Sequence, residues 1–320
     1  MAGNRAGQAA RMTSPTSPLP PSGRQLEIAY GDARAVVVEV GGGLRTYDVA
    51  GRPVLDGYPE EAMVQAARGQ VLVPWPNRLH GGRYTWDGNE HDVPLDEPAK
   101  GNALHGLCRF RSWQVAERSD ASVTMALVLH PQPAYPFPLD LRVRYVLDDG
   151  GLTVTTGAVN RGALAAPYAQ GAHPYLTAGT ELVDDAVLTL PAATRLPTDD
   201  DQVPTGLEPV EGTPYDFREP RRIGDVAVDF AFTDLVRGSD GRAVLALEGP
   251  DRRVEAWVDE GYPYLEVFTG DALPDVARRR RGLGVEPMTA PPNAFVTGQD
   301  VLRLEPGEGV ERAWGLRVAR

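Results

Sequence analysis

Leu141-Arg142-Val143-Arg144-Tyr145-Val146-Leu147 and Leu152-Thr153-Val154-Thr155-Thr156-Gly157-Ala158-Val159 flank Asp148-Asp149-Gly150-Gly151, and this unit decides the fold class. Apolar residues fall at alternate positions of the first run, the period of a strand with one buried face. Asp and Gly tolerate the positive φ that tight hairpins need, so the four residues between the runs predict a turn joining antiparallel strands. The same alternation recurs at residues 25–30, 34–40, 122–129, 244–247, 253–258, 264–269 and 312–318, with Gly, Pro or Asp-Gly turns between most of them. The chain reads as all-β.

Only residues 59–68 suggest a helix, with Pro59 at the first position, Glu60 and Glu61 in the first turn and Gly69 just past the end. No repeat of the length used by propellers and solenoids is present, and no Pro/Gly/Ser-rich linker follows residue 23. The expected architecture is one large antiparallel β-sandwich over residues 23–320. The Ser/Thr/Pro series within residues 1–22 predicts a disordered tail; with no continuous apolar segment, it does not fit a secretory signal. The segments 90–102 and 198–220 are long for sandwich loops, and long ordered loops build binding sites.

At 320 residues, 42% hydrophobic and 24% charged, the chain has the composition of a soluble globular protein, and no apolar run approaches the length of a membrane helix. A net charge of -12 disfavours nucleic acid and anionic membranes, both of which need basic surface to displace counterions. Cys108 is the only cysteine, which excludes an internal disulfide and a cysteine-rich metal centre and fits a cytoplasmic location. Lys100 is the only lysine, so arginine clusters carry little information here.

The chemistry-bearing stretch is Gly284-Val285-Glu286-Pro287-Met288-Thr289-Ala290-Pro291-Pro292-Asn293-Ala294-Phe295. Proline fixes its own φ and pushes the preceding residue towards extended geometry, so Glu286 is expected at a strand end with its direction set by a stiff loop. A held carboxylate suits a general base. Two of the five histidines sit in tight frames: Leu104-His105-Gly106, where a small neighbour admits close approach, and Ala172-His173-Pro174, where proline restrains the histidine backbone. Each is either a fixed proton donor or a histidine satisfied inside the sheet. Arg78, in Pro76-Asn77-Arg78, carries a planar fork for hydroxyl or carboxylate oxygens. Trp75 offers either a flat face to a sugar or core packing. Asp229 lies between apolar residues, with Asp234 as the competing carboxylate.

Together these segments resemble the aldose 1-epimerase (galactose mutarotase) family over residues 23–320. Pro76-Asn77-Arg78 is followed by Gly82-Arg83-Tyr84, Asp87-Gly88, Leu104-His105-Gly106, His173-Pro174-Tyr175, Asp229 with Phe232, and Glu286-Pro287 with Asn293, all in the family's order. The resemblance implies a β-supersandwich with a sugar site in a concave cleft. It implies Glu286 as the base taking the proton of the C1 hydroxyl and His173 as the acid protonating the ring oxygen. His105 would assist at the ring oxygen, Arg78 and Asp229 would hold sugar hydroxyls, and Asn77 and Trp75 would line the site. The chain departs from the better-studied members at Phe230, where they usually carry histidine.

No cofactor is expected, and no metal, since neither His-x-His nor His-Glu-x-x-His spacing occurs. An ordinary histidine value needs only a small upward shift to keep His173 protonated near neutrality. The expected partner is a small sugar, bound by a monomer or homodimer. Three alternatives remain: a hexose-6-phosphate 1-epimerase, suggested by Arg278-Arg279-Arg280-Arg281; a glycoside hydrolase; and a non-catalytic carbohydrate-binding protein.

Overall fold

The computed structural model describes residues 18–319. Most of the tail expected at residues 1–22 therefore lies outside the described residues. Ser22 already belongs to the folded chain: it is buried and its carbonyl accepts from the Val40 N–H at 3.0 Å.

Two large antiparallel sheets dominate. The first runs Gln114–Arg118, Ser122–Leu129, Leu139–Asp148, Gly151–Asn160, Gly309–Ala319, Arg253–Val258, Ala243–Glu248, Val187–Thr189, Arg221–Arg222. The second runs Glu208–Pro209, Ala192–Arg195, Asp229–Leu235, Tyr264–Phe268, Leu283–Met288, Gly171–Ala172, Val71–Leu72, and Tyr175–Leu176 also pairs with Leu283–Met288. A smaller sheet, Gln25–Tyr30, Ala33–Val38, Leu44–Val49, Arg52–Pro53, accompanies them. One continuous apolar cluster draws on both large sheets, as a sandwich requires.

The hairpin that decided the fold class forms as expected, with Asp148 opposite Gly151. The positive φ falls on Gly151, at 101°, and Asp148 Oδ1 accepts from the Gly150 N–H at 2.8 Å. Leu139, Leu141, Val143, Tyr145 and Leu147 are buried along one face, each contributing about 1.5–3 kcal/mol. Leu283–Met288 differs, being buried at all six positions. It is covered on both faces, which makes it a frame for a site shielded from water.

Residues 59–68 form turns rather than the expected helix. Ala66 and Ala67 take φ of 50° and 52°, Ala66 O accepts from Tyr175 Oη at 3.1 Å, and Arg68 pairs with Asp56 at 3.1 Å. A helix this short is marginal by itself, and these tertiary contacts outweigh the end signals. Among the described residues the α-helix is the single turn Ala294–Thr297.

Asn293, at φ 66°, fastens the exit of Leu283–Met288 to the segment carrying Arg78. Its N–H donates to Arg78 O at 2.7 Å and its Oδ1 accepts from the His80 N–H at 3.0 Å. Asn293→Ala loses one part-buried hydrogen bond and places an ordinary side chain in the left-handed region, together about 2 kcal/mol. Urea denaturation is expected to report that loss; a change below about 0.5 kcal/mol would contradict the fastening role.

Candidate active site

The strand beside Leu283–Met288 is broken into Gly171–Ala172 and Tyr175–Leu176, with Gly171 opposite Met288 and Tyr175 opposite Gly284. Carried across the gap, that register sets His173 opposite Glu286. Pro174 and Pro287 account for the break, since neither has an N–H for the ladder, and Val285 N–H reaches Pro174 O at 2.9 Å. On the other side Glu266 stands opposite Glu286, and Ala231 opposite Glu266. His173, Glu286 and Glu266 thus form one transverse row. Glu286 lies within its strand rather than at the exit expected from the prolines, because pairing with Tyr264–Phe268 continues through Pro287 and Met288.

His173 Nε2 lies 3.1 Å from Glu286 Oε1, with both side chains buried. The imidazole stacks on Tyr175, centroids 4.9 Å apart and planes 5° from parallel, and the Arg68 guanidinium sits 4.1 Å from the Tyr175 ring centre. Gly284 makes room for this stack: a Cβ there would stand 3.2 Å from Phe268 Cβ and 3.6 Å from His173 Cε1.

His105 approaches the same point from another segment, its ring edge-to-face with His173 at 5.4 Å. It takes φ 59° and Gly106 takes φ 72°; a Cβ on Gly106 would fall 2.0 Å from Val73 O, so only glycine permits this turn. Asn77, at φ 54°, donates its N–H to His105 Nδ1 at 3.0 Å and accepts the His105 N–H at 2.8 Å. Nδ1 is therefore an acceptor, and the neutral ring carries its proton on Nε2. Glu97 grips Arg78 through Nε and Nη2 at 2.9 and 3.1 Å, and Asn102 donates to Glu97 at 2.9 Å.

Asp229 begins its strand opposite Phe268, on the face of the Glu266 row. Asp234 is exposed and accepts from Thr194 Oγ1 at 2.5 Å, so of the two carboxylates Asp229 is the one near the row. Phe230 points to the opposite face, against Tyr215 at 5.0 Å, which explains how it can stand where histidine is usual without crowding Asp229. Trp75 takes the packing alternative: it is 2% exposed and tilted against Phe295 at 5.4 Å, so it offers no open sugar platform.

Burial governs the protonation of the row. It pulls His173 down to about 3, helped by the Arg68 charge. The shift runs opposite to the upward one that would keep this histidine protonated near neutrality, because a buried imidazolium loses its hydration and faces a guanidinium across Tyr175. Burial, then Glu266, holds Glu286 well above the carboxylate range, while Arg78 works the other way. Burial and then Asp229 push Glu266 up to about 8, and burial raises Asp229 against the pull of Arg78. His105 falls well below its ordinary value through burial and then His173.

Donor atoms of His105, His173 and Glu286 lie within 4.8 Å of one another, a spacing a cation could bridge. His173 Nε2 faces Glu286 Oε1, and His105 Nδ1 is taken by the Asn77 N–H.

Two site residues escaped the sequence reading. Glu266 interrupts the apolar strand Tyr-Leu-Glu-Val-Phe, and an acid where both faces are covered was the available signal. Gln202, at φ 62° in the long 198–220 segment, sets its side-chain amide 3.2 Å from Asp229 Oδ2, a contact that only the amide nitrogen can make favourably, while Asn102 donates to Asp201 O at 2.9 Å. The arginine run is structural: Arg278 pairs with Asp56 at 2.8 Å, Arg280 with Asp271 and Asp184 at 2.6 and 2.7 Å, and Arg279 and Arg281 bond backbone carbonyls, each at 2.8 Å.

The depressed His173 value makes a stability statement. Its folded value near 3 lies below the ordinary 6.5, so the unfolded chain binds the extra proton between them. This contribution is fully present above pH 6.5 and lost as pH falls towards 3. His173→Asn is expected to show a smaller fall in Tm than the wild type between pH 7 and pH 4 by calorimetry; equal falls would contradict the shift.

Comparison with known proteins gives the family. The family model for aldose 1-epimerase matches residues 24–313. YihR, an uncharacterized protein of Escherichia coli K12, is 35% identical over 90% of this chain and 91% of its own length. The galactose mutarotase of Homo sapiens is 30% identical over 73% of this chain and 70% of its own. The solved galactose 1-epimerase of Lactobacillus acidophilus superimposes with a TM-score of 0.79 at 21% identity, over 92% of this chain and 95% of that one. Matched along nearly its whole folded length, the chain belongs to the aldose 1-epimerase family, isomerases acting on carbohydrates.

Proposed function

We propose that this protein interconverts the α and β anomers of a free hexose such as glucose or galactose, using Glu286 and His173 as one proton-exchanging pair. The 3.1 Å contact between two buried, oppositely perturbed groups carries this reading. The pair needs a single exchangeable proton. With the proton on His173, Glu286 takes the C1 hydroxyl proton as His173 protonates the ring oxygen, and the ring opens. The pair is then left as neutral carboxyl and neutral imidazole, the form that burial favours. Rotation about C1–C2 and the reverse transfers close the other anomer and restore the starting pair.

His105 has Nε2–H to offer the ring oxygen, with its direction fixed by Asn77. Arg78 and Asp229 supply contacts for sugar hydroxyls, with the Gln202 amide beside Asp229. An unphosphorylated sugar is favoured over a sugar phosphate because Arg278 and Arg280, the partly buried members of the arginine run, are paired with Asp56, Asp184 and Asp271. Mutarotation proceeds unaided in water, and a positioned acid and base contribute about 10² to 10⁴ each, roughly 5–11 kcal/mol together.

Polarimetry on freshly dissolved α-D-glucose and α-D-galactose tests the assignment. Glu286→Gln and His173→Asn are each expected to lower kcat by about 10²- to 10⁴-fold with the fold retained. A rate within about 3-fold of wild type would remove that residue from the mechanism. Exclusive turnover of glucose 6-phosphate would overturn the choice of substrate, and release of sugar from aryl glycosides would favour hydrolysis.

A further inference from the structure

Behind the His173–Tyr175 stack lies a cavity of about 370 Å³ that anomer exchange leaves unused. Arg68 and Leu273 are its buried residues, with Gln65, Asp275 and Arg278 nearer the solvent. Neither His173 nor Glu286 lines it, because the Tyr175 ring stands between Arg68 and the imidazole.

Arg68 is short of partners for so shielded a group. Its side chain is 5% exposed, yet among the described residues it makes one side-chain hydrogen bond, from Nη2 to Asp56 Oδ2 at 3.1 Å, and Nε is buried without a partner. Arg280, at 14%, shows what such a group can receive: its three nitrogens reach Asp184, Asp271 and the carbonyls of Gly224 and Val226. Arg78 closes a side-on pair with both oxygens of Glu97. Arg68 does not form the same pair with Asp56, because Arg278 Nη2 takes Asp56 Oδ1 at 2.8 Å. One carboxylate therefore answers two guanidiniums, and an excess positive charge stands beside the cavity. Asp275 does little to restore the balance, since it is exposed and its Oδ1 accepts from the Ala277 N–H at 3.0 Å. Tyr175 covers the face of the Arg68 guanidinium at 4.1 Å, but the N–H groups lie in the plane of the fork and are left to other acceptors.

We propose that this cavity is a binding site for a small free oxyanion, such as phosphate or sulfate, held between Arg68 and Arg278. Guanidinium forks take oxyanions through charge-assisted N–H bonds, and a fork already withdrawn from water gains most from one. The anion supplies the negative charge that Asp56 alone cannot. A free anion is favoured over the phosphate of a bound sugar because the Tyr175 ring separates the cavity from His173 and Glu286. The site stands one ring away from the proposed acid, whose protonation the Arg68 charge opposes. It does not depend on the anomer-exchange reading.

Isothermal titration of the intact protein with phosphate, at an ionic strength held constant with NaCl, is expected to give saturable one-to-one binding with a Kd of about 1 mM. Arg278→Gln removes one fork and frees Asp56 Oδ1 to complete the pair with Arg68, so it should weaken binding by about 5-fold or more. No saturation by about 20 mM phosphate, or equal affinity in the variant, overturns the site. Wild-type crystals soaked in selenate, an isostere of sulfate, give a readout that needs no variant. Anomalous density between Arg68 and Arg278 supports the site, and a cavity without such density overturns it. Titrations with glucose and glucose 6-phosphate separate the two sources of the anion. Glucose 6-phosphate binding no tighter than phosphate supports a free anion. Binding about 10-fold or more tighter than both phosphate and glucose would overturn the free anion in favour of the charged end of a sugar.

Discussion

The site depends on one contact, His173 Nε2 to Glu286 Oε1, made across a gap in the strand ladder. Two prolines open that gap while the register on either side keeps the chains aligned, so the facing side chains are set by backbone pairing rather than by a loop. Small residues make the approach possible. A Cβ on Gly171 would stand 2.8 Å from both Pro287 O and Pro76 Cβ, and Gly284 leaves space for the imidazole and Phe268. Tyr175 and Arg68 back the histidine from behind. Nothing has to reorganise to bring the imidazole and the carboxyl together, which is the preorganisation that the proposed acid–base catalysis rewards.

That arrangement weakens the fold locally, and the structure shows where. His173 Nδ1 and the Oε2 atoms of Glu266 and Glu286 are buried without partners. Asn77, His105, Gln202 and Asn293 all take positive φ around the same row, and for His105 and Gln202 this is an uncommon backbone state. Opposed shifts follow from the same burial: an imidazole and a carboxyl removed from water both prefer to be neutral, which turns the pair into a store for one proton. Sugar hydroxyls entering the row would satisfy the open atoms.

Much of this was legible in the sequence because strand periodicity and turn chemistry are local. Ser122–Leu129 and Arg253–Val258 match the alternating runs, and the Asp-Gly hairpin sits where the sequence put it. Glu286, His173, His105, Arg78 and Asn77 stood out through stiff or glycine-bearing neighbours; all but Arg78 are in direct contact, and the Arg78 charge acts on Glu286. What was hidden depends on packing. Residues 59–68 have helix-like ends, but Tyr175 and Asp56 hold them in turns. Trp75 between prolines could have faced either way, and the core took it. The direction of the His173 shift needed its burial and Arg68, neither of which lies in its own segment. Glu266 became meaningful only once the register put it opposite Glu286.

The central claim is that Glu286 and His173 act as one unit through a shared proton. A double-mutant cycle on anomer exchange measures this directly, comparing Glu286→Gln, His173→Asn and the combined variant at one pH. Groups that work as a unit lose their function when either is removed, so the combined variant should be no more than about 3-fold slower than the slower single variant. Losses that multiply across the cycle would mean two independent contributions and would contradict the account.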